Sequence, residues 1–287
     1  MSINIRTNVP SLISQRNLDQ STTRLNTSYE RLSSGLRINR ARDDAAGLAI
    51  AESLKADSKV ASVAIRNASD GISIISIADQ AIGQIGNVLS RLGELAEQSA
   101  NGVFANSQRS ALDNEFKALT NEIERIALTT EFNGLKLLSA GGEVVFQVGF
   151  NSNSLSQVTY SGVQATLQAL GLARTGTSSV QYSIIGSTDL ESQSAARLAL
   201  DAISLAITSL TRNRGTLGAA ESRLEVTIGN LQVARENFLA AESRIRDVDV
   251  ASEAAELTRL NILQQAGASV LAQANSQPQL ALQLLRG

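Results

Sequence analysis

The sequence contains no cysteine, no histidine and no tryptophan, and only two prolines among 287 residues. Without cysteine there is no disulfide, no thiol nucleophile and no zinc–thiolate site. Without histidine, the commonest acid–base residue and the imidazole metal ligand are gone, and with them every His-based triad. The prolines, Pro10 and Pro278, stand near the two ends, so no proline interrupts a helix between them. Aromatic residues make up 3% of the chain against 43% for all hydrophobic residues. The apolar mass is therefore Leu, Ile, Val and Ala, the palette of close-packed helical bundles. An excess of either charge is lacking too, with 25 basic and 27 acidic residues and a net charge of −2. No basic surplus supports a nucleic-acid partner. The first eight residues carry no apolar signal-like run, and no stretch approaches the roughly 20 apolar residues of a membrane span. Neither membrane insertion nor an ordinary secretory route is expected.

What is present is heptad spacing. Leu18, Thr22, Leu25, Tyr29, Leu32 and Leu36 recur at alternating steps of four and three. Leu217, Leu224, Leu231, Phe238 and Ile245 recur every seven, each followed three residues later by Ala220, Thr227, Ala234, Ala241 or Val248. Such stripes are the seams of helices that wrap against other helices. The small residues of the second row let backbones approach closely. Spacing alone also fits one self-contained bundle. Energy points further: an isolated helix is marginal, and ordering a residue costs roughly 1–2 kcal/mol of backbone entropy. One row of leucines without a partner does not offset that. The two ends are expected to pair with each other, to remain incomplete alone, and to become fully ordered among neighbouring molecules.

Along the chain, a first helix is predicted over 11–33, a polar connector over 39–46 and a second helix over 45–67. A break is predicted at Asp70-Gly71, then a long helix ending near Asn101-Gly102. Its rows are Ile75, Ile82, Leu89, Ala96 and Ala78, Ile85, Leu92, Ser99. Leu112, Phe116, Leu119, Ile123 and Ile126 mark another helix over 107–129, and Phe132-Asn133-Gly134 a turn. Residues 143–149 and 157–160 read as a β-hairpin. The stretch 175–194 is rich in Ser, Thr and Gly and reads as loop. Helix is predicted again from Ala195 to Asp247, with a kink at Gly215-Thr216-Leu217-Gly218. A last helix is predicted from Glu253 to Asn275, ending before Pro278. The fold class is thus mainly α, with long helices in coiled-coil-like packing from both ends and a small β-hairpin in the middle.

Motifs for chemistry are sparse. Residues 171–177 have the glycine spacing of a phosphate loop but lack its lysine. Asp43-Asp44 and Asp247/Asp249 are the tight acidic pairs, flanked by Arg40, Arg42, Arg244 and Arg246, and read as salt-bridged connectors rather than a metal site. Asn26-Thr27-Ser28 and Asn67-Ala68-Ser69 match the N-glycosylation pattern but fall inside predicted helices. No catalytic, cofactor-binding or metal-binding residue is expected.

Several long stretches resemble one family. They are Ser28-Tyr29-Glu30-Arg31-Leu32-Ser33-Ser34-Gly35-Leu36-Arg37-Ile38-Asn39, then Asp43-Asp44-Ala45-Ala46-Gly47-Leu48-Ala49-Ile50-Ala51, Arg66-Asn67-Ala68-Ser69-Asp70-Gly71-Ile72-Ser73 and Phe132-Asn133-Gly134. Ser243-Arg244-Ile245-Arg246-Asp247-Val248-Asp249, Ile262-Leu263-Gln264-Gln265-Ala266-Gly267 and Val270-Leu271-Ala272-Gln273-Ala274-Asn275 continue the series toward the C-terminus, as does Leu284-Leu285-Arg286. Together they resemble bacterial flagellins, over residues 1–150 and 195–287.

The resemblance implies a self-assembling subunit of the flagellar filament, the propeller of swimming cells, without enzymatic activity. It implies an inner coiled-coil layer from 1–44 plus 244–287. A surrounding helical layer would comprise 45–194 plus 195–243, with the hairpin near 143–160 and a short variable loop region at 161–194. Implied partners are other copies of the chain, an export chaperone, and the cap and hook-junction proteins. Export would proceed unfolded through the flagellar type III apparatus to an extracellular filament. The assembly seam would comprise Leu18, Leu25, Leu32, Leu217, Leu224, Leu231, Phe238 and Ile245. An animal Toll-like receptor is a further implied partner through Arg91, Leu95 and Glu115, although Gly93 stands where the family often has a second arginine. The alternatives are a hook–filament junction adaptor, which the tail and short middle disfavour, and a soluble helical-bundle binding protein.

Overall fold

A computed structural model of the chain describes residues 7–140, 142–172, 190 and 192–286. It is mainly α, with long helices from both ends and small two-stranded sheets between them, as the sequence predicts. The helix α1 is Val9–Ser34. Asn8 caps it by accepting from Ser11 N at 3.2 Å, Pro10 sits in its first turn, and left-handed Gly35 closes it by donating to Arg31 O at 2.8 Å. Asp44 Oδ1 accepts from Gly47 N at 2.9 Å and so starts α2, Ala45–Ala100. Helix α3 is Asn106–Thr129.

Strands β1 (Glu131–Phe132) and β2 (Leu135–Lys136) are joined by Asn133 and Gly134, at φ 49° and 78°. Two successive positive φ values are what a tight hairpin turn demands and what Asn-Gly supplies. Strands β3 (Glu143–Gln147) and β4 (Gln157–Ser161) form the predicted antiparallel hairpin. Val144 lies opposite Tyr160 and Phe146 opposite Val158, and this alternate set faces the core. Two more helices follow, α4 (Gln193–Arg246) and α5 (Val250–Arg286).

Three predicted boundaries are corrected. The break at Asp70-Gly71 does not occur: α2 runs straight through. Gly71 is there for space, since a Cβ would lie 3.0 Å from Leu224 Cδ1 and 3.2 Å from Phe146 Cγ. Gly215 and Gly218 lie inside the continuous α4. Helix α5 begins at Val250 and continues past Pro278 instead of ending before it. The predicted interruption near residues 247–249 is real and separates α4 from α5.

The chain divides into two compact units, Met1–Ser58 with Glu236–Gly287, and Lys59–Arg235. The division falls inside α2 and α4, whereas the sequence reading placed it at residues 44/45 and 243/244. In the larger unit, Ile75, Ile82, Ile85, Leu89 and Leu92 of α2 pack with Phe116 and Ile123 of α3 and with Ile203, Leu210, Leu217 and Leu224 of α4. Glycines set how closely α2 and α4 approach. Cβ positions built on Gly71, Gly86 and Gly93 would lie 3.0, 3.3 and 3.9 Å from Leu224, Leu210 and Ile203 in turn, an antiparallel order. The segment 163–172 has no helix or strand, and its Val163, Ala165, Leu167, Leu170 and Leu172 enter the core. Buried Leu190 is held at both backbone groups: Ser99 Oγ donates to its O at 2.6 Å and its N donates to Asp113 Oδ1 at 3.0 Å. Residues 173–189 and 191, the rest of the predicted loop, lie outside the described residues.

In the smaller unit, α1 and α5 run antiparallel. Leu18 meets Gly267, Thr22 Oγ1 accepts from Gln264 Nε2 at 3.3 Å, and Ser28 donates to Glu253 while Arg31 lies 3.7 Å from it. Beyond α1 the two connectors pair as backbone: Arg37 N donates to Arg246 O at 2.6 Å and Val248 N to Gly35 O at 3.0 Å.

The glycines carry a testable contrast. Gly71→Val is expected to destabilise the subunit by about 1–3 kcal/mol through overpacking. Gly229→Ala, at a helical position with nothing within 4 Å, is expected to stabilise it by roughly 0.8–1 kcal/mol. Thermal unfolding followed by circular dichroism checks both signs.

Candidate assembly interface

The acidic pairs are devices for stopping and starting helices. Asp43 Oδ2 accepts from Arg40 N at 2.9 Å and Asn39 N at 3.2 Å, and the Arg40 amide is the main reason its carboxyl is held below its ordinary pKa. Asp247 accepts from Ser243 Oγ at 2.6 Å. Asp249 caps α5 by accepting from Ala251 N at 3.0 Å and Ser252 N at 3.3 Å. The expected pairing with flanking arginines is a minor part: Arg42 lies 3.9 Å from Asp43, while Arg246 turns to Glu52 at 2.9 Å and Glu242 at 3.9 Å. Among the described residues, no group of three or more Asp or Glu is placed to hold a metal ion. Asn67 is engaged as well, its Nδ2 donating to Gln147 O at 3.0 Å. Helix α2 does contain a stretch long and apolar enough by composition to cross a membrane, against the expectation that none approaches that length. Its apolar row is the one packed into the core from Ile74 to Ala96.

The predicted seam residues fall into two groups. On α1, Leu25 is buried and Leu18 and Leu32 are half-buried, along a helix whose packing partner is α5. Leu217, Leu224 and Leu231 of α4 are buried within the larger unit, whereas Phe238 and Ile245 are half-buried in the smaller one. The α1 stripe meets α5, and Leu217 and Leu224 belong to the core beside α2.

The surface chemistry lies elsewhere on α4. Leu198, Leu205, Val226 and Val233 are 55, 71, 63 and 59% exposed. They fall on one heptad row with Arg212 and Ala219, two positions off the buried row and so on the opposite face of the helix. Single exposed apolar residues are ordinary, but an aligned row marks a surface that other helices cover. The spacing was readable in the sequence and was hidden behind the stronger leucine row. The smaller unit exposes Leu12 and Ile13 of α1 and Val250, Ile262, Leu263 and Val270 of α5. Its buried apolar residues, among those described, are only Leu25, Ile38, Ala51, Leu260 and Ala274.

Of the predicted receptor residues, Arg91 and Glu115 meet at the surface. Arg91 Nε and Nη2 donate to Glu115 Oε1 at 3.0 and 2.8 Å, and Nη1 to Glu94 Oε2 at 2.8 Å. These carboxylates raise the pKa of the guanidinium, Glu94 first. Leu95 is not with them: it is 1% exposed, in the core.

Residues 5–142 match the family described as the bacterial flagellin N-terminal helical region, and residues 200–285 the bacterial flagellin C-terminal helical region. The chain is 44% identical over 283 residues to a flagellin of Halalkalibacterium halodurans, covering 98% of this chain and 99% of that one. The chain belongs to the bacterial flagellin family. The flagellin of Bacillus subtilis is 39% identical over 307 residues, at 98% and 99% coverage. A flagellar filament 33 kDa core protein of Treponema phagedenis is 37% identical over 293 residues, at the same coverage. This flagellin is thus a structural protein, a subunit that self-assembles with copies of itself into the flagellar filament.

Two substitutions on α4 separate core from surface in this flagellin. Leu224→Ala is expected to cost about 2–5 kcal/mol of subunit stability. Val226→Ser, two residues away on the exposed face, is expected to stay within about 0.5 kcal/mol of the parent. Denaturant unfolding of the unassembled subunit measures both.

Proposed function

We propose that this flagellin polymerises through two surfaces of different character. One is the paired α1 and α5, whose uncovered Leu12, Ile13, Ile262, Leu263 and Val270 would be buried by the same helices of neighbouring copies as an inner layer around the filament axis. The other is the exposed row Leu198, Leu205, Val226 and Val233, which would lie between adjacent copies in the surrounding helical layer. In this reading Leu18, Leu25 and Leu32 align α1 for assembly. Leu217, Leu224, Leu231, Phe238 and Ile245 serve the seam indirectly, by holding α4 so that its outer row is presented straight. The observation that carries the proposal is the row of four exposed heptad residues on a helix whose opposite row is buried from Ala196 to Leu231.

The role is mechanical, and no reaction is assigned to the chain. Its place is the extracellular filament, reached by export of the unfolded chain. The chaperone, cap and hook-junction partners follow from the flagellin family, as does recognition by a Toll-like receptor. For the receptor, Arg91 and Glu115 would be the contact surface, and Leu95 would act only by fixing the shape of α2 beneath them. The junction-adaptor alternative has no support from the relatives, two of which are named flagellins and one a flagellar filament core protein.

Electron microscopy of purified subunits after seeding tests this. The parent chain is expected to form long filaments of uniform width. Val226→Asp/Val233→Asp is expected to remain folded and fail to polymerise, as is a chain lacking residues 250–287. Normal filaments from the double aspartate variant would remove the outer row from the interface, and normal filaments from the truncated chain would remove α5.

A further inference from the structure

Pro278 lies inside α5, four residues after Ala274. In a regular helix the amide of residue 278 would bond the carbonyl of residue 274. Proline has no such amide, so the Ala274 carbonyl is left without its helical donor. Ala274 is buried, so solvent is a poor substitute. The carbonyl is served from the other end of the chain: Asn8 Nδ2 donates to Ala274 O at 2.8 Å. The same Asn8 amide caps α1 through Oδ1, which accepts from Ser11 N at 3.2 Å. One residue further along α5, Asn275 Oδ1 accepts from Ser11 Oγ at 2.6 Å.

The orientation of the Asn8 amide is dictated by these partners, because a backbone N–H only donates and a carbonyl only accepts. Asparagine alone among good N-cap residues offers this pair of groups on one short rigid plane. Aspartate would keep the cap and lose the donor.

We propose that Pro278 and Asn8 form a register clasp between the two ends. Pro278 frees one carbonyl in the interior of α5, and that carbonyl has no backbone donor to share with the α1 N-cap. A slip of one turn would bring Asn8 against a carbonyl that already accepts within its own helix and gains less from a second donor. The heptad stripe by itself tolerates such a slip, since leucine rows repeat; the clasp disfavours it. It therefore selects one alignment of α1 on α5, and with it the set of apolar residues that the pair presents to neighbouring copies. The start of α1 is completed only when α5 is in place.

The test is a double-mutant cycle on full-length chains, read as the critical concentration for seeded polymerisation. The parent's polymerisation tests filament function, and the coupling tests the clasp. Asn8→Asp is expected to raise the critical concentration about tenfold, the scale of one lost hydrogen bond with a carboxylate set against a carbonyl. In a Pro278→Ala background, where the helix supplies its own donor to Ala274 O, the same substitution is expected to cost about twofold or less. Where Asn8→Asp alone yields no filaments, restoration by Pro278→Ala supports the clasp. Equal effects in both backgrounds, or no restoration, would overturn it. The chain has no native cysteine, so Ser11→Cys/Asn275→Cys gives an independent readout. Oxidation of its filaments is expected to give a disulfide within each subunit; a ladder of linked subunits would show that the contact is not made within one chain.

Discussion

A long amphipathic helix has no stable existence in water until its apolar stripe is covered, and every feature of this chain follows from where that cover comes from. In the larger unit it comes from within. Helices α2, α3 and α4 close on one another, the β3–β4 hairpin and the segment 163–172 seal the gaps, and the leucine and isoleucine rows vanish from solvent. Glycines at 71, 86 and 93 let α4 approach α2 at side-chain distance, so the cover of that inner face is tight, while the outer row of α4 stays in solvent. In the smaller unit the cover is partial. Helix α1 has α5 and little else, and both keep large aliphatic side chains in water. In the assembly proposed above, identical neighbours would supply the missing faces.

The polar residues do the complementary work of fixing where helices start, stop and align. Asp44 and Asp249 begin α2 and α5, and Gly35 ends α1. Between them the two connectors meet in a short backbone pairing at Leu36 and Asp247, which brings the outgoing and returning strands of the chain together at one level. Arg31 and Arg246 surround that pairing with ion pairs to Glu253, Glu52 and Glu242. Hydrophobic rows give such a structure its free energy but repeat every seven residues. Capping side chains and one backbone bridge do not repeat, and so they set the alignment.

Much of this was legible in the sequence. Heptad spacing marked the helices, the Asn-Gly pair marked the tight hairpin, and alternation marked β3 and β4. The long motifs at both ends carried the family. The misreadings share one cause: local signals were overruled by tertiary contacts invisible along the chain. Asp70-Gly71 has the look of a helix end, yet Gly71 exists to make room for Leu224 and Phe146 from distant segments. Pro278 has the look of a stop, yet Asn8, at the far end of the sequence, accommodates the carbonyl it leaves open. The outer row of α4 was missed for a different reason. Four residues at heptad spacing are weak evidence beside a continuous leucine row, and only exposure shows that they face away from the core. Leu95 illustrates the converse, a position that matches a recognition motif in sequence and is enclosed in three dimensions.

Hydrogen exchange of the full chain, compared between dilute subunits and assembled filaments, tests the central claim most directly. If cover is internal for the larger unit and external for the smaller, amides of α4 between Ile203 and Leu224 should be strongly protected in both states. Those of α1 and α5 should gain protection by orders of magnitude only on assembly. Equal protection of α1 and α5 in the dilute subunit and the filament would mean that the two ends complete their own fold, which contradicts external cover.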